Sequence, residues 1–379
     1  MHGGTIKIGI VAAEKSGDNL GYKLLEAFQK HREIKIFGVG GDKFNQLNIS
    51  SPLVDQEVLN VMGLIDPLKN LSKILKVRKS ISDFLIQNNI DIFIGVDAPD
   101  LNFYFHKTLK NKINTKNIQL VSPSVWGWRP KRIEKIKKHV DLTLSLFKFE
   151  HDYLKNHGAN SFHLGHPFAN QATKDKFSVI DQFNLDSSKN FISILPGSRD
   201  SEIKTMIHTY LETAEIIYHQ DKTAYFLIPA TNSIQAQYIK DISKNFDAPF
   251  FINEACIQDF LSLSDIALTT SGTATLEAVT YDCIPIICYK TNPINFFILN
   301  KLITSKHIGI PNLLMHKKIF PELIQKDFTP KLILESYNKI FKEKDSYFMH
   351  IQKVKKLIQG KGFDNAAKKI LDLYDRSGC

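Results

Sequence analysis

The sequence predicts an α/β protein with two doubly wound parallel sheets, in two domains that face each other across a cleft. Short, very apolar runs recur along the chain, separated by about 10–20 polar-patterned residues, which is typical of parallel strands covered on both faces by helices. Eleven such runs are too many for one ordinary sheet, and the polar stretch 168–189 divides them into two series. A chain of 379 residues is long enough for two cores.

Each apolar run is interpreted as one strand. In chain order the predicted strands are 6–11, 35–40, 91–96, 118–123, 141–147 and 161–166, then 191–197, 224–230, 249–253, 265–270 and 284–290. Ligands of such sheets bind beyond the carboxyl ends of the strands. The loops that follow the strands are therefore where function is sought.

Composition limits the classes of function. A hydrophobic content of 43% and a charged content of 23% are those of an ordinary globular protein. No apolar run is long enough to span a bilayer, and the N-terminus enters a strand without signal-peptide features, so a cytoplasmic enzyme is expected. The four cysteines lack C-x-x-C spacing, which argues against a zinc site. The net charge of +10 indicates an anionic partner: a nucleic acid, a phosphorylated ligand or a membrane surface.

Nucleotide motifs of the dehydrogenase and ATPase kinds are missing. The stretch FGVGGDKF (37–44) fails the G-x-G-x-x-G pattern because Lys43 stands where glycine is needed, and there is no Walker A sequence. In the loop AAEKSGDNLG (12–21), Ser16 or Asp18 either caps the next helix or faces a ligand.

The loop GVDAPDLN (95–102) carries two carboxylates, Asp97 and Asp100, after a very apolar strand. Asp100 is interpreted as a helix cap. Asp97 precedes alanine and proline in a stiff turn, and a positioned carboxylate there suits a general base acting on a sugar or alcohol hydroxyl.

The segment SPSVWGWRPKRIEKIKKH (122–139) contains both tryptophans, followed by six basic residues within ten positions. One interpretation is a solvated amphipathic helix with Ile133 and Ile136 facing inward. The other is aromatic and cationic contact with a sugar, phosphate or nucleic acid. No RNA-binding signature accompanies the segment.

Two further loops, ILPGSRDSEI (194–203) and LTTSGTATLEAV (268–279), each join a strand to a helix through small residues. Arg199 offers a forked cation for phosphate oxygens, and the small residues allow close backbone approach at a helix N-terminus. Glu277, one turn inside its helix, is placed to accept ribose hydroxyls. Together these loops predict a bound nucleoside diphosphate. No metal site is expected, since HLGH (163–166) fits strand-end structure better.

These motifs resemble the lipid-A-disaccharide synthase family of inverting glycosyltransferases, over about residues 6–325. The resemblance lies in SGDNLG, GVGG, VMGLIDPL, GVDAPDLN, LVSPSVWGWRPKRI, GHPFAN, LPGSR, SGTATLEA and GIPNLL, in the family's order. It implies a GT-B fold of two Rossmann-like domains, with expected segments 1–168 (acceptor-binding and membrane-facing), 169–345 (UDP-sugar-binding) and 346–379 (helices returning to the first domain).

The resemblance also implies the reaction and its residues. UDP-2,3-diacylglucosamine would donate its sugar to 2,3-diacylglucosamine 1-phosphate (lipid X) without metal or cofactor. Asp97 would be the base. The implied UDP-site residues are Ser198, Arg199, Ser271, Gly272, Thr273, Glu277 and Asn312, and the implied sugar-side residues are Glu14, Ser16, Asp18 and Trp126. The family usually has AGEASGD where this chain has AAEKSGD, so Lys15 either contacts a phosphate or points to water.

Acylated substrates imply contact with a membrane. In the segment 63–86, Leu68, Leu71, Ile74 and Leu75 alternate with lysine and arginine residues, the pattern of a helix lying on an anionic bilayer. A core-packed helix with a solvated basic face fits the same pattern. With lipid substrates we expect peripheral association at the cytoplasmic face of the inner membrane. The apolar segment 292–303 either lines an acyl groove or packs in a core.

Two other functions compete. A UDP-N-acetylglucosamine 2-epimerase would share the scaffold and nucleotide site but need no basic membrane helix, and SPSVWGWR argues against it. An RNA-binding protein using residues 126–138 ranks below both enzymes, and no nucleic-acid partner is expected.

Overall fold

A computed structural model describes residues 4–13, 15–52, 71–127, 130–171, 173–292 and 307–376, without the side chains of residues 15, 16 and 71–73. The chain forms two compact units, Met1–Pro167 with Ile358–Cys379, and Phe168–Leu357. This division separates the expected C-terminal segment: residues 346–357 belong to the second unit and residues 358–379 to the first.

The first unit contains a six-stranded sheet in the order β2-β1-β3-β4-β5-β6, with all pairs parallel. Its strands are β1 Ile6–Ala12, β2 Ile34–Val39, β3 Ile92–Val96, β4 Lys116–Leu120, β5 Leu142–Ser145 and β6 Ser161–His163. The helices described between them are α1 Lys15–Gln29, α2 Asp42–Asn45, α3 Leu71–Gln87, α4 Pro99–Ile113, α5 Arg132–His139 and α6 Lys148–Asn156.

The second unit contains another parallel sheet, in the order β12-β11-β10-β7-β8-β9. Its strands are β7 Asn190–Leu195, β8 Ala224–Ala230, β9 Phe250–Glu254, β10 Ile266–Thr270, β11 Ile284–Tyr289 and β12 Glu322–Ile324. Its described helices are α7 Lys176–Phe183, α8 Asp200–Gln220, α9 Ser233–Ser243, α10 Ile257–Leu263, α11 Thr273–Thr280, α12 Ile310–Leu314, α13 Pro330–Lys342 and α14 Lys344–Leu357. Helix α15, Gly362–Asp375, then belongs to the first unit.

Alternation along the strands explains why helices cover both faces of the first sheet. Ile92 and Ile94 of β3 pack in one cluster with residues of α1 and α15, whereas Phe93, between them, packs in another with residues of α3 and α4. Successive strand side chains point to opposite faces. A strand that is apolar at every position must therefore be buried on both faces.

The structure contains a strand at each of the eleven predicted positions and one more, β12. Strand β12 has only three residues, too few for a recognisable apolar run. Strand β4 begins two residues before its predicted start because its first two residues, Lys116 and Asn117, are polar, although Asn117 is buried. Asn117 donates to the carbonyl of His106 at 2.7 Å, which makes its burial tolerable.

No helix among the described residues is long and apolar enough to cross a membrane.

Candidate active site

A cavity of about 530 Å³ lies in the second unit, at the carboxyl ends of β7, β8 and β10. Six of the seven residues predicted to bind UDP line this cavity: Ser198, Arg199, Ser271, Gly272, Thr273 and Glu277. They come from the loops after β7 and β10, neighbouring strands that the sequence separates by about 70 residues. The parallel sheet therefore brings the two predicted phosphate-binding loops together.

The loop after β7 holds a carboxylate at the N-terminus of α8. Gly197 has φ of +115°, and a Cβ atom there would lie 2.8 Å from Glu202. Oε2 of Glu202 accepts hydrogen bonds from the backbone N–H groups of Ser198 at 3.3 Å and Arg199 at 3.4 Å. The exposed Arg199 guanidinium lies 3.5 Å from Oε1 of the same carboxylate. These donors are thus arranged around an anionic group, the Glu202 carboxylate.

The loop after β10 opens helix α11 toward the same cavity. Ser271 donates its backbone N–H to Cys288 and its hydroxyl to the carbonyl of Ile308, both at 2.9 Å. Gly272 has φ of +154° and contributes no side-chain cap to the helix that begins at Thr273. The first N–H groups of α11 are therefore not covered by a capping side chain, an arrangement that favours an anion.

Glu277 lies one turn inside α11 and lines the cavity. Burial raises the pKa of its carboxyl group, while a hydrogen bond with the Gln258 side chain acts in the opposite direction. A half-buried carboxylate at this depth is suited to receive hydroxyl donors from a ligand.

Asn312, the seventh predicted residue, does not line the cavity and is fully buried. Its Nδ2 donates to the Phe320 carbonyl and to Oε1 of Glu322, and its Oδ1 accepts the N–H groups of Ile319 and Phe320, all at 2.9 Å. Its side chain therefore fastens the segment after α12 to β12. The same Glu322 Oε1 accepts the N–H groups of Ile308 at 3.2 Å and Gly309 at 2.9 Å, just before α12, and the Ile308 carbonyl receives the Ser271 hydroxyl.

In the first unit, Asp97 follows β3 directly in a left-handed conformation, with φ of +47°. Ala98 is also left-handed, with φ of +38°, and such a conformation costs roughly 1–2 kcal/mol per non-glycine residue. The Asp97 N–H donates to the Leu120 carbonyl at 2.8 Å, and its carbonyl accepts from Asn102 Nδ2 at 2.8 Å and Gln119 Nε2 at 3.0 Å. Burial raises the pKa of its carboxyl group.

A buried polar network supports this turn. Gln119 Oε1 pairs with Nε2 of His106 at 2.9 Å, and burial lowers the pKa of that imidazole to about 4. Gly95 leaves the necessary room, because a Cβ atom there would lie 2.8 Å from Asn102 and 3.0 Å from His106. The strained Asp97 backbone is thus held by side chains from α4 and β4.

Trp126, in the loop after β4, is held by a residue of α6. Its Nε1 donates to Oε1 of Glu150 at 3.4 Å, and its ring packs edge-on against Phe149 at 4.9 Å. Phe149 stacks on Phe147 at 5.8 Å, which in turn stacks on His166 at 5.4 Å. Aromatic and acidic groups after β3, β4, β5 and β6 thus occupy the carboxyl edge of this sheet.

The chain as a whole matches one family. The model of the family described as lipid-A-disaccharide synthetase covers residues 8–371. The chain belongs to the lipid-A-disaccharide synthetase family. It is also 39% identical, over 92% of its length and 93% of the relative, to lipid-A-disaccharide synthase from Hydrogenovibrio crunogenus. The identity to the synthase from Colwellia psychrerythraea is 37%, over 86% of this chain and 84% of the relative.

Solved structures share the fold at low sequence identity. A glycosyltransferase from Rickettsia africae superposes with a TM-score of 0.58 at 15% identity, over 98% of both chains. A UDP-GlcNAc 2-epimerase from Neisseria meningitidis bound to UDP-GlcNAc gives 0.58 at 14% identity, over 97% of this chain and 99% of that one. The fold is therefore GT-B, as predicted, but the fold alone does not separate transferase from epimerase. The family assignment does: the protein is a glycosyltransferase of lipid A disaccharide formation.

The structure describes only part of residues 12–21, the loop that the sequence places after β1. Helix α1 begins at Lys15, so Asp18 lies inside its first turn and is not an N-cap. The buried Asp18 carboxylate accepts the N–H of Gly41 at 2.6 Å, which joins the first turn of α1 to the loop after β2. Glu14 and the side chains of Lys15 and Ser16 lie outside the described residues.

The sequence suggested that Asp100 caps α4, and this prediction is wrong. The N-cap is Ala98, and the Asp100 carboxylate contacts the guanidinium of Arg132. Arg132 is buried with Ile133 and Ile136, so this part of the basic segment has a structural role. Trp128 and Arg129 lie outside the described residues.

Within the described ranges, no group of three or more histidine, cysteine or acidic residues is arranged to hold a metal ion. His163 ends β6, and the ring of His166 stacks on Phe147.

The predicted membrane helix is described from residue 71 onward, as α3. Ile74, Ile81 and Leu85 are buried, whereas Leu75 is 51% exposed and Lys79 75% exposed. The helix therefore packs by one face and presents a basic face with one exposed leucine. Residues 63–70 and most of 292–303 lie outside the described residues.

Three acidic residues of the two sites escaped the sequence-based prediction: Glu150, Glu202 and Glu322. None of them is a neighbour in sequence of the residue that it contacts. Glu150 contacts Trp126, Glu202 contacts Ser198 and Glu322 contacts Asn312 only in the folded chain. The capping-box signature did not reveal Glu202, because the N-cap three positions earlier is Arg199 rather than serine, threonine, aspartate or asparagine.

Proposed function

We propose that this enzyme transfers the sugar of UDP-2,3-diacylglucosamine to the 6-hydroxyl of lipid X, giving a β-1′,6-linked disaccharide 1-phosphate and UDP. The observation that carries the proposal is the pair of strand-end sites found in this family member. One is a half-buried carboxylate, Asp97, after β3. The other is the 530 Å³ cavity beside Arg199 and two helix N-termini.

The second unit is proposed to bind UDP. Arg199 and the N-termini of α8 and α11 would bind the diphosphate, with Ser198, Ser271, Gly272 and Thr273 around it, and would stabilise the charge on departing UDP. Glu277 would accept the ribose hydroxyls. Asn312 is proposed to act indirectly: it donates to the Glu322 carboxylate, which also holds Ile308, and the Ile308 carbonyl fixes Ser271.

The first unit is proposed to activate the acceptor. The Asp97 carboxylate takes the proton of the acceptor 6-hydroxyl while that oxygen attacks C1 of the donor sugar. The bond from C1 to the UDP oxygen breaks, UDP leaves with its electron pair, and the anomeric configuration inverts. Asp18 and Trp126, with Glu14 and Ser16, are proposed on the sugar side of this site.

Metal independence is part of the proposal. The positive charge for the leaving group would come from Arg199 and backbone N–H groups, which perform the electrostatic work a bound cation does in other transferases. Residues 63–86 are proposed to bring the enzyme to the anionic cytoplasmic face of the inner membrane, where its acylated substrates reside.

The test is UDP release from UDP-2,3-diacylglucosamine, with and without lipid X, in detergent and with EDTA. We expect release that requires lipid X, survives the chelator and is lost in Asp97→Ala. Release that stops with EDTA and returns with Mg²⁺ would refute metal independence alone. Turnover of unacylated UDP-N-acetylglucosamine with no response to lipid X would refute the transferase.

A further inference from the structure

Glu150 is a buried acid with two hydrogen-bonding tasks. It is the third residue of α6, and its Oε2 accepts the backbone N–H of Phe147, the N-cap residue, at 3.4 Å. This is the carboxylate half of a capping box, and Phe147 has no side-chain acceptor for the other half. The side chain is nevertheless buried, and its second oxygen, Oε1, faces the indole N–H of Trp126 at 3.4 Å. Glu150 therefore joins α6 to the loop that follows β4.

The link between Glu150 and Trp126 lies close to Asp97, the proposed base. Its carboxyl group lies near enough to Asp97 for the two to interact electrostatically. The elements packed against it contribute Asp97 after β3, Trp126 after β4, the backbone at the end of β5, and His166 beyond Phe147. On α6 itself, Lys148 and Asp152 pair with each other at 2.6 Å on the exposed face.

We propose that Glu150 is a positioning residue of the transfer reaction, which holds the indole ring of Trp126 at the edge of the sheet where Asp97 lies. The inference rests on the proposed function of Asp97 as the base. A loose Trp126 would leave the sugar-side wall of the site unfixed, and small misplacements near reacting groups lower rates strongly.

The protonation of Glu150 offers a direct readout of its contact with the Trp126 indole. Burial, with the neighbouring Asp97 charge, raises the pKa of Glu150 to about 8. Burial lowers the pKa of His166 to about 4, so that imidazole stays neutral above pH 5. Between pH 6 and 9, ionisation of Glu150 is thus expected to change the electric field at the Trp126 indole.

The first experiment is ¹⁹F NMR of the full chain labelled with 5-fluorotryptophan. The chain has two tryptophans, so two signals are expected, assigned with Trp128→Phe. The Trp126 signal should shift with pH with a midpoint near 8, and the shift should vanish in Glu150→Gln. In Asp97→Asn the midpoint should fall, because a neighbouring negative charge is gone. A Trp126 signal that does not titrate, or titrates equally in Glu150→Gln, would overturn the proposal.

The second experiment is steady-state kinetics at pH 7. Glu150→Ala should lower kcat/KM by about tenfold or more, whereas Glu150→Gln, which keeps an acceptor for the indole, should stay within about threefold. Asp152→Asn on the exposed face of α6 is the matched control and should act like wild type. A folded Glu150→Ala with wild-type kcat/KM would overturn the positioning role. If Glu150→Ala does not fold, kcat/KM of Trp126→Phe, which lacks the indole N–H that Glu150 accepts, should fall about as far, and a wild-type value would overturn the positioning role.

These experiments separate two failures. Wild-type transfer by Asp97→Asn would refute the base, and with it the proposed function, even with the Trp126 titration intact. Loss of the titration with Asp97 still essential would refute Glu150 alone.

Discussion

At the scale of single residues, burial changes the chemistry of the carboxyl groups at the strand ends. The pKa values of Asp97, Glu150 and Glu277 are all raised, each mainly by desolvation. A raised pKa makes a carboxylate a better proton acceptor. The raised pKa values therefore agree with the proposed roles of Asp97 as a base and of Glu277 as a ligand-binding acceptor.

Replacement of Asp97 by asparagine should remove the base while keeping the size of the side chain. We expect kcat for transfer to fall about 10²–10⁴-fold. UDP affinity should not change, because the cavity proposed for UDP is lined by residues of the second unit. Initial-rate kinetics and calorimetric titration with UDP measure the two effects.

The adjacent carboxylate provides the control. Asp100→Asn should lose far less activity, since Asp100 contacts Arg132. In wild type, kcat/KM should fall as the pH drops through the raised Asp97 pKa, so the acidic limb should lie above the usual aspartate value of 3.8. An unshifted limb, or equal losses in the two variants, would contradict the assignment of Asp97.

Glu277→Gln should weaken UDP binding, because a neutral amide replaces the proposed acceptor of the ribose hydroxyls. A hydrogen bond to a charged group is worth about 1.5–3 kcal/mol, so the Kd should rise roughly 10–100-fold. The Kd for wild type should also rise as the pH falls toward the raised Glu277 pKa, with no such trend in the variant. An unchanged Kd would place the ribose elsewhere.

The sequence motifs predicted which residues line the cavity, with one exception, but not the residues with which they form hydrogen bonds. Ser198, Arg199, Ser271, Gly272, Thr273 and Glu277 meet at one cavity because two strand-end loops become neighbours in a parallel sheet. By contrast, the Asn312 side chain is fully buried, and its amide group makes all its described hydrogen bonds within the protein. Sequence spacing does not reveal whether a polar group faces a ligand or a buried carbonyl.

At the scale of elements, strands were predicted well because a parallel strand buried on both faces is apolar throughout. The exceptions have a physical cause. Lys116 and Asn117 hide the start of β4, and the polarity of the buried Asn117 is compensated by hydrogen bonds within the protein rather than by water. Helix starts were less predictable: Asp100 looks like a cap, yet α4 begins at Pro99 after a left-handed Ala98.

Helix α15 joins the first unit through a close backbone crossing. The His166 N–H donates to the Ile358 carbonyl at 2.8 Å, and the Gly362 N–H donates to the Leu164 carbonyl at 2.9 Å. A Cβ atom on Gly360 would lie 2.2 Å from the backbone nitrogen of Gly165. Only glycine fits such an approach.

Gly360→Ala should therefore destabilise the first unit by about 1–3 kcal/mol, the usual range for overpacking. Urea unfolding, followed by circular dichroism, should show a lower midpoint. Gly4→Ala is the control, since nothing lies within 4 Å of a Cβ atom there. Equal midpoints for Gly360→Ala and wild type would contradict this packing.

At the scale of the whole molecule, the net charge of +10 and the basic face of α3 bear on where the enzyme works. The charge predicts an anionic partner but not its kind. Family membership narrows the choice, because lipid A disaccharide formation uses lipid substrates. Leu75 is exposed next to Lys76 on α3, but a single exposed leucine is common on soluble proteins, so the membrane face stays a prediction.

The double variant Lys76→Glu/Lys79→Glu should weaken binding to vesicles containing anionic lipid at low salt. Each basic residue near such a surface contributes about 1 kcal/mol, so reversing two charges should lower the partition coefficient at least about tenfold. Lys137→Glu/Lys138→Glu on α5 carries the same charge change and should have a smaller effect. Equal effects, or no vesicle binding by wild type, would contradict a membrane face on α3.

The two-sheet architecture and the family were thus readable from the sequence, whereas the choice between transferase and epimerase was not readable from the fold. NMR analysis of the lipid product formed from UDP-2,3-diacylglucosamine and lipid X would decide between them. We predict a single disaccharide 1-phosphate with a β linkage at the 6-oxygen of the lipid X residue. An α linkage would contradict the inverting mechanism. A donor sugar recovered with inverted configuration at C2, and no disaccharide, would contradict the transferase.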